Sequence, residues 1–351
     1  MNILVLPAQA YHVRSKYLAR GLNNLGHKTT YMKALKPLPY NLDIILSLPH
    51  YFLKTLVNSY TLAIGAKPYP NVVLPLLLKK LFGTIIIMDV DDLDYGYKKG
   101  ILSSLLKNFQ KLFLKYFDLI IYHNENIKNL LTESFRINPD KTYRLDQGVD
   151  LEIFQCGDDL VKQNRLDNHP PKEKVIAYTA HLNSAADLTP ILKAFKLVIQ
   201  KMPKVKLMVI GGGQRQGEFE NLVAKLDLQD NVFFTDTLPP QDVAKHLCTA
   251  DLALVYYEDR EVNYYRASVK IREYLALGLP VVCNDICDLA IFRDYTYQTN
   301  FDLSLYSDKI IEVLRTKGDG REKQSRQFIV NNFNWKTITA TFLEFLYQKF
   351  R

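Results

Sequence analysis

The 351-residue sequence predicts an α/β protein of two Rossmann-like domains, and three observations lead to that prediction. Short apolar runs alternate with stretches of helical spacing along the whole chain, the pattern of parallel sheets covered on both faces. The length suits two ordinary domains. One stretch of different character, residues 155–174, separates two sets of alternations. It carries Gly157, Asp158, Asp159, Asn168, His169, Pro170 and Pro171, which is linker composition.

In the first half, residues 3–6 read as a short apolar strand. Residues 11–25 follow with helical spacing (Tyr17, Leu18, Leu22, Leu25), closed by Gly26. Residues 27–31 read as the next strand, and 42–48, 71–74, 84–88 and 119–122 are further strand-like runs. The second half predicts strands at 175–179, 206–210, 232–234, 252–255 and 280–283. Helices are predicted between them at 188–201, 216–226, 241–249 and 269–277. The expected division is an N-terminal domain at 1–155, a linker at 156–172 and a C-terminal domain at 173–334. A last helix, about 335–351, is expected to pack back on the first domain. Two such halves imply a cleft where the carboxyl ends of both sheets meet, the end at which open parallel sheets bind ligands.

Composition narrows the function. Apolar residues make up 48% and charged residues 23%, as in a globular protein with real cores. The net charge of +8 lies wholly in residues 1–150, where 19 basic residues face 11 acidic ones; the remainder balances. That asymmetry suits an anionic partner or a merely solvated basic surface. No nucleic-acid-binding module or interleaved aromatic and basic motif is present, so no nucleic-acid partner is expected. Four cysteines (Cys156, Cys248, Cys283, Cys287) are too few and too scattered for a disulfide framework. Cys283 and Cys287 lack a His pair at ligand spacing, so no metal site is expected. The N-terminus reads as a strand and not a signal peptide, and Lys79 and Lys80 split the longest apolar run. The expectation is a cytoplasmic protein, soluble or peripheral at the inner face of the membrane.

Residues 100–117 bear on that last point. Lys107, Lys111 and Lys115 recur every four residues in one stripe, opposite a wide apolar arc containing Leu102, Leu105, Phe109 and Leu112. With Lys79, Lys80, Lys98 and Lys99 nearby, the segment reads as a contact with an anionic membrane or as an interior-facing helix with a solvated lysine edge.

The sharpest feature is YYRASVKIREYLALGLPVVCND, residues 264–285. Ser268 is a natural N-cap, so the amides of the following turn stand at the positive end of the helix dipole, where a diphosphate can sit. Lys270 and Arg266 add positive charge. Glu273, one turn further on, is placed to accept the two hydroxyls of a ribose. By spacing alone, Lys270 and Glu273 equally suit an ordinary solvated helix face.

The run SVKIREYLALGLPVV resembles the signature of retaining glycosyltransferase family 4, with Glu273 matching the second glutamate of the Glu-x7-Glu motif. Supporting pieces fall in the family's order: Gly26-His27, RLDQGVDLEIF at 144–154, KLMVIGGG at 206–213, NVFFTDTLPPQDVAKHLCTADLALV at 231–255 and FNWKTI at 333–338. The resemblance spans nearly the whole chain. It implies the GT-B fold, two Rossmann-like domains facing each other across a cleft. It also implies a hexosyltransferase that moves a sugar from an NDP-sugar to a glycan or lipid-linked acceptor. Retention of configuration, no obligatory metal and a place in envelope or polysaccharide biosynthesis go with it. Glu273 would hold the ribose, while Ser268, Ala267, Lys270 and the helix amides would face the donor phosphates, with Arg266, Tyr265, His181 and Gly212 beside them.

The departures are specific. Tyr265 stands where the first glutamate of the motif belongs. His181 occupies the position of the family's diphosphate-gripping Arg, and Ala185 or Ala186 that of its Lys. Two fixed positive charges are therefore missing from a site that must stabilise a leaving diphosphate; Lys270, Arg266 or Arg272 are the candidates to replace them. The glycine-rich loop after the first strand is absent. In MDVDDLD (88–94), Asp91 and Asp92 stand where the family often has a His-Asp pair, and are candidates for a general base, a cation site or a helix cap. His12 and Arg14, expected on the loop after the first strand, are candidate acceptor contacts. These departures leave a second expectation, a catalytically degenerate protein that binds or scaffolds.

Overall fold

The computed structural model describes residues 1–10, 12–35, 42–156, 173–183, 188–316 and 320–350. The chain divides into two compact units. The first comprises Met1–Gly148, Tyr264–Ala267 and Trp335–Arg351; the second comprises Val149–Asn263 and Ser268–Asn334. Most of the expected linker, 157–172, lies outside the described residues.

The first unit runs β1 (Asn2–Pro7), α1 (Val13–Asn24), β2 (Lys28–Tyr31), α2 (Leu42–Val57), β3 (Leu62–Ala66), α3 (Pro70–Lys80), β4 (Ile85–Asp89), α4 (Ile101–Phe113), β5 (Leu119–Tyr122), α5 (Glu125–Asn129) and β6 (Thr142–Arg144). Its six strands form one parallel sheet in the order β2-β1-β3-β4-β5-β6. The connection from β1 to β2 runs one way along the sheet, and all later ones run the other way. Right-handed crossovers therefore put α1 on one face and α2, α3 and α4 on the opposite face. The α1 face is closed by α12 (Trp335–Lys349), whose Phe342, Leu343 and Leu346 join Leu18 and Leu22 over Ile3, Val5 and Ile64.

Two expected strands are helices. Residues 42–48 open α2 and residues 71–74 lie in α3. Neither run alternates, so periodicity does not separate a buried strand from a helix over so few residues. Pro70 at the first position of α3 is a helix-start signal. Strand β3 is absent from the sequence expectation, because Ala63 and Gly65 weaken its pattern. The glycine is required there: a Cβ at Gly65 would lie 2.5 Å from Val72 Cγ1 and 2.7 Å from Leu76 Cδ1, so α3 rests directly on the strand. Strand β6 is a three-residue edge with no apolar run to announce it.

The second unit runs β7 (Val175–Thr179), α6 (Leu188–Lys201), β8 (Lys206–Ile210), α7 (Gln216–Lys225), β9 (Val232–Phe234), α8 (Pro240–Leu247), β10 (Leu252–Val255), α9 (Val269–Ala276), β11 (Val281–Asn284), β12 (Tyr297–Thr299), α10 (Leu303–Arg315) and α11 (Arg321–Asn332). Its parallel sheet has the order β12-β11-β10-β7-β8-β9. Here the expected elements coincide with those observed to within a residue or two at most ends.

The cysteine reading needs correction. Cys156 and Cys248 form a disulfide across 92 residues of chain, a pairing that spacing cannot reveal. Cys283 is a free thiol, and burial in β11 pushes its pKa up to about 12, so it stays protonated at neutral pH.

Candidate functional site

In an open parallel sheet, the crevice lies at the carboxyl ends of the strands where the order reverses. In the second unit that point is between β7 and β10, which pair directly. Helix α9 begins beside it. Tyr274 anchors the helix to the end of β7: its hydroxyl accepts from the Thr179 amide at 2.7 Å and lies 2.7 Å from the Thr179 hydroxyl. Tyr257, just after β10, is fixed by Asn284, which accepts from its amide at 3.0 Å and donates to its carbonyl at 2.7 Å. The Lys270 ammonium lies 4.4 Å from the Tyr178 ring centroid and 5.6 Å from that of Tyr257. A cation is thus carried on two aromatic faces at the switch point.

Glu273 lies one turn along the helix and is half-buried. Burial pushes its carboxyl up to about 7, against the opposing pull of Lys270. Among the described residues, its carboxyl makes no hydrogen bond. An acceptor raised in pKa, beside a cation and without a protein donor, is suited to ligand hydroxyls.

Ser268 occupies the N-cap position, but its hydroxyl does not cap the helix. It accepts a hydrogen bond from the Tyr257 hydroxyl at 3.2 Å, while its amide donates to both oxygens of Asp288. Arg272 is not available as a diphosphate clamp. It is 1% exposed, pairs with Asp288 at 2.6 Å, donates to the Ser268 carbonyl, and lies 5.0 and 4.8 Å from the Phe292 and Phe333 ring centroids. Its charge is spent on holding the start of α9.

The turn after β8 packs against the segment after β7. The His181 Nδ1 donates to the Gly212 carbonyl at 3.0 Å, and the Leu182 amide donates to the same oxygen. Gly211, at φ 129°, admits this approach, since a Cβ there would lie 2.0 Å from the Ala180 carbonyl oxygen. Ala185 and Ala186 lie outside the described residues. Tyr265, Arg266 and Ala267 cluster with the first unit. Asn126 donates to the Tyr264 carbonyl at 2.7 Å and Asn124 to that of Arg266 at 3.3 Å. The Arg266 guanidinium donates to the Tyr97 hydroxyl at 3.0 Å.

In the first unit the order reverses between β1 and β3, and a charged cluster gathers there at the strand ends. Lys67, the residue after β3, is not among the sequence candidates. Its ammonium lies 2.8 Å from Asp92, 3.1 Å from Asp94 and 3.5 Å from Asp91. It does so from a left-handed backbone at φ 66°. A Lys directly after a strand facing an Asp-rich loop is the available signal, but reading α3 as a strand hides that strand end. His12 is the N-cap of α1; its Nδ1 accepts from the Ser15 amide at 3.2 Å, so Nε2 carries the proton and donates to Asp91 at 2.6 Å.

Burial alone would raise the Asp91 carboxyl, but Lys67 and His12 overcome it and hold Asp91 well below the usual carboxylate range. Burial would likewise lower Lys67, yet the three carboxylates keep it well above its usual value. Burial pushes Asp94 up to about 6, with Lys67 opposing. Asp91 is therefore a poor general base near neutrality. Asp92 is the more accessible of the pair.

Arg14 is corrected outright. It lies inside α1, 3% exposed, with Nε bridging both oxygens of Asp89 at 3.1 and 2.8 Å. Its terminal nitrogens donate to the Asp146 and Leu145 carbonyls. All its donors serve the fold, and none is left for an acceptor.

Comparison with known proteins places this geometry. The family model described as Glycosyl transferases group 1 matches residues 162–332. The alpha-monoglucosyldiacylglycerol synthase of Streptococcus pneumoniae is 25% identical over 208 residues, covering 56% of this chain and 46% of that protein. The chain spans 34% to 46% of the length of the first curated relatives. Among solved structures, sucrose-phosphate synthase from Thermosynechococcus elongatus has a TM-score of 0.81 at 16% identity, covering 100% of this chain and 99% of that one. HepE of Anabaena, solved in complex with UDP and glucose, has a TM-score of 0.76 at 13% identity and covers 99% of both chains. The two six-stranded parallel units are those of the GT-B fold.

Proposed function

The chain carries a domain of the group 1 glycosyl transferases at residues 162–332, and on that premise we propose that it moves a sugar from a nucleoside-diphosphate sugar to a glycan or lipid-linked acceptor. The observation that carries this reading is the start of α9. It sets a cation on two aromatic faces one turn before a carboxyl that has no hydrogen-bonding partner among the described residues. Lys270 and the first-turn amides face the diphosphate, and Glu273 accepts the ribose hydroxyls. His181, beside the Gly212 turn, takes the place of a fixed cation near the phosphates.

Transfer breaks the bond between the anomeric carbon and the phosphate oxygen, whose electron pair stays on the diphosphate. The acceptor oxygen bonds to that carbon from the same face, and its proton passes to the departing phosphate, so configuration is retained. No metal is needed in this reading. Lys270 supplies positive charge at the start of α9, and the acidic cluster of the first unit already holds the Lys67 ammonium. Asp91 then orients His12, and Asp92 is the carboxylate left for the acceptor. The name of the streptococcal relative and the UDP and glucose bound to HepE support a sugar nucleotide and a lipid-linked acceptor. Residues 100–117 would bring such an acceptor within reach by peripheral contact with an anionic membrane.

The locked Arg272 and the Tyr265 substitution favour a second reading, a binding protein without turnover. Incubation with UDP-, GDP- and ADP-sugars separates the two. Release of nucleoside diphosphate from any donor establishes the enzyme, and silence over the whole panel establishes the scaffold. Glu273→Ala should weaken nucleotide binding by roughly tenfold or more, since hydrogen bonds to a charged acceptor are lost. Unchanged affinity by calorimetry rejects the site.

A further inference from the structure

Helix α2 is amphipathic in the wrong sense for a helix that faces water. Its buried side carries Asp43, Ser47, Tyr51 and Thr55, recurring every four residues. Asn71 donates to the Ser47 hydroxyl at 2.9 Å, and the Tyr51 hydroxyl donates to the Pro7 carbonyl at 2.7 Å. Its outer side carries Leu42, Ile45, Leu46, Leu53, Leu56 and Val57, with Ile45 66% and Val57 81% exposed. Inward polar groups make specific bonds, while the outer arc presents only hydrocarbon. An uncovered arc of this kind marks an interaction surface.

The same sheet face continues it. Leu81 and Phe82, at the end of α3, are 79% and 67% exposed. Helix α4 buries only Gln110, while Ile101, Leu102, Leu105 and Leu112 are exposed. The end of α3 is tied to the chain after α4 by Lys80, which donates to the Tyr116 carbonyl at 2.7 Å. Lys54, on the flank of α2, and Lys107, Lys111 and Lys115, along α4, border these arcs. Among the described residues, none of the four is ion-paired with a carboxylate.

We propose that this face is a lipid-docking surface, with α2 as its main inserted element and α4 beside it, and that its occupant is an anionic bilayer. Charge decides between occupants. The first 150 residues carry the whole +8 excess, so a second copy would bring like charge to the contact, whereas anionic headgroups complement it. Aliphatic side chains at the headgroup boundary with lysines at their edge are the arrangement of interfacial helices. Among the described residues no helix is long and apolar enough to cross a membrane, which fits a helix lying in the surface. The inference rests on the fold alone and stands apart from the glycosyl-transfer reading.

Co-sedimentation with vesicles tests it, comparing phosphatidylcholine alone with phosphatidylcholine doped with phosphatidylglycerol. The protein should bind the doped vesicles, less so as salt rises. The neutral triple variant Ile45→Gln/Leu53→Gln/Val57→Gln should lose about tenfold or more in partitioning. Ile291→Gln/Leu305→Gln, which removes exposed aliphatics from the second unit, should bind as the parent does. The sole tryptophan, Trp335, is buried, so Leu53→Trp adds a reporter whose emission should shift to the blue on doped vesicles. That reporter decides alone if the triple variant does not fold. Equal binding by a folded triple variant, or a reporter unmoved by lipid, overturns the proposal. Self-association without lipid that the triple variant abolishes also overturns it, in favour of a second copy.

Discussion

Two side chains carry opposite electrostatic logic. The Glu273 carboxyl is raised from 4.5 to about 7 by burial, so the folded state holds its proton more tightly than the unfolded state does. Its contribution to stability is complete below about 4.5 and is lost as pH rises through about 7. Glu273→Gln should therefore melt above the parent at pH 8 and level with it at pH 4, while nucleotide affinity falls; scanning calorimetry at both pH values checks the first part. Lys67 works the other way. It holds Asp91 ionised, so that carboxylate stabilises the fold above its ordinary pKa of 3.8 and ceases to as pH falls through its depressed folded value. Lys67→Met leaves buried carboxylates without their cation, a loss of about 3–5 kcal/mol at neutral pH. The deficit should shrink toward pH 4, where the variant's carboxyls are protonated, and a deficit independent of pH rejects this account. Glu273 and Lys270 are legible because they lie one turn apart on a helix with start and stop signals. Lys67 is not, since its three partners are distant in sequence and only the sheet brings them together.

At the level of elements, legibility follows the clarity of periodicity. The second unit's strands are short apolar runs bounded by turns, its helices show a clean apolar stripe, and both can be read nearly to their ends. Helix α2 escapes because its apolar residues face outward: a reader who assigns hydrocarbon to the core finds no consistent helix in 42–57. The polar recurrence Asp43, Ser47, Tyr51, Thr55 has the helical period and is the signal to follow. Helix α9 is recognisable, but not how it is held. Ser268 delegates capping, and Asp288 instead ties the Ser268 amide to the Arg272 guanidinium. Asp288→Ala should strand a buried guanidinium, costing about 3–5 kcal/mol and loosening the start of the helix. Urea unfolding measures the first effect. Amide exchange at Val269–Ala276 measures the second, and exchange unchanged there would show that the helix start does not depend on this pair.

For the molecule as a whole, chain order and unit membership do not coincide. The first unit is assembled from three separated stretches, and its last, α12, is synthesised after the entire second unit. The linker composition at 155–174 points to a boundary near the observed one at 148–149, yet it does not reveal that Val149–Cys156 is drawn into the second unit. The Cys156–Cys248 disulfide belongs to that arrangement. Helix α12 supplies Phe342, Leu343 and Leu346 to the core over β1 and β3, all nearly fully buried. At about 1.5–3 kcal/mol for each such side chain, their removal approaches the whole stability of an ordinary domain. A chain ending at Asn334 should therefore retain a cooperative second unit while the first loses its fixed packing. Hydrogen exchange resolved by peptide reads this directly: β1, β3 and α1 should exchange rapidly, with β7, β8 and α6 still protected. Uniform loss across both sheets would mean that the two units fold as one cooperative body, and uniform retention would mean that the α1 face closes without its last helix.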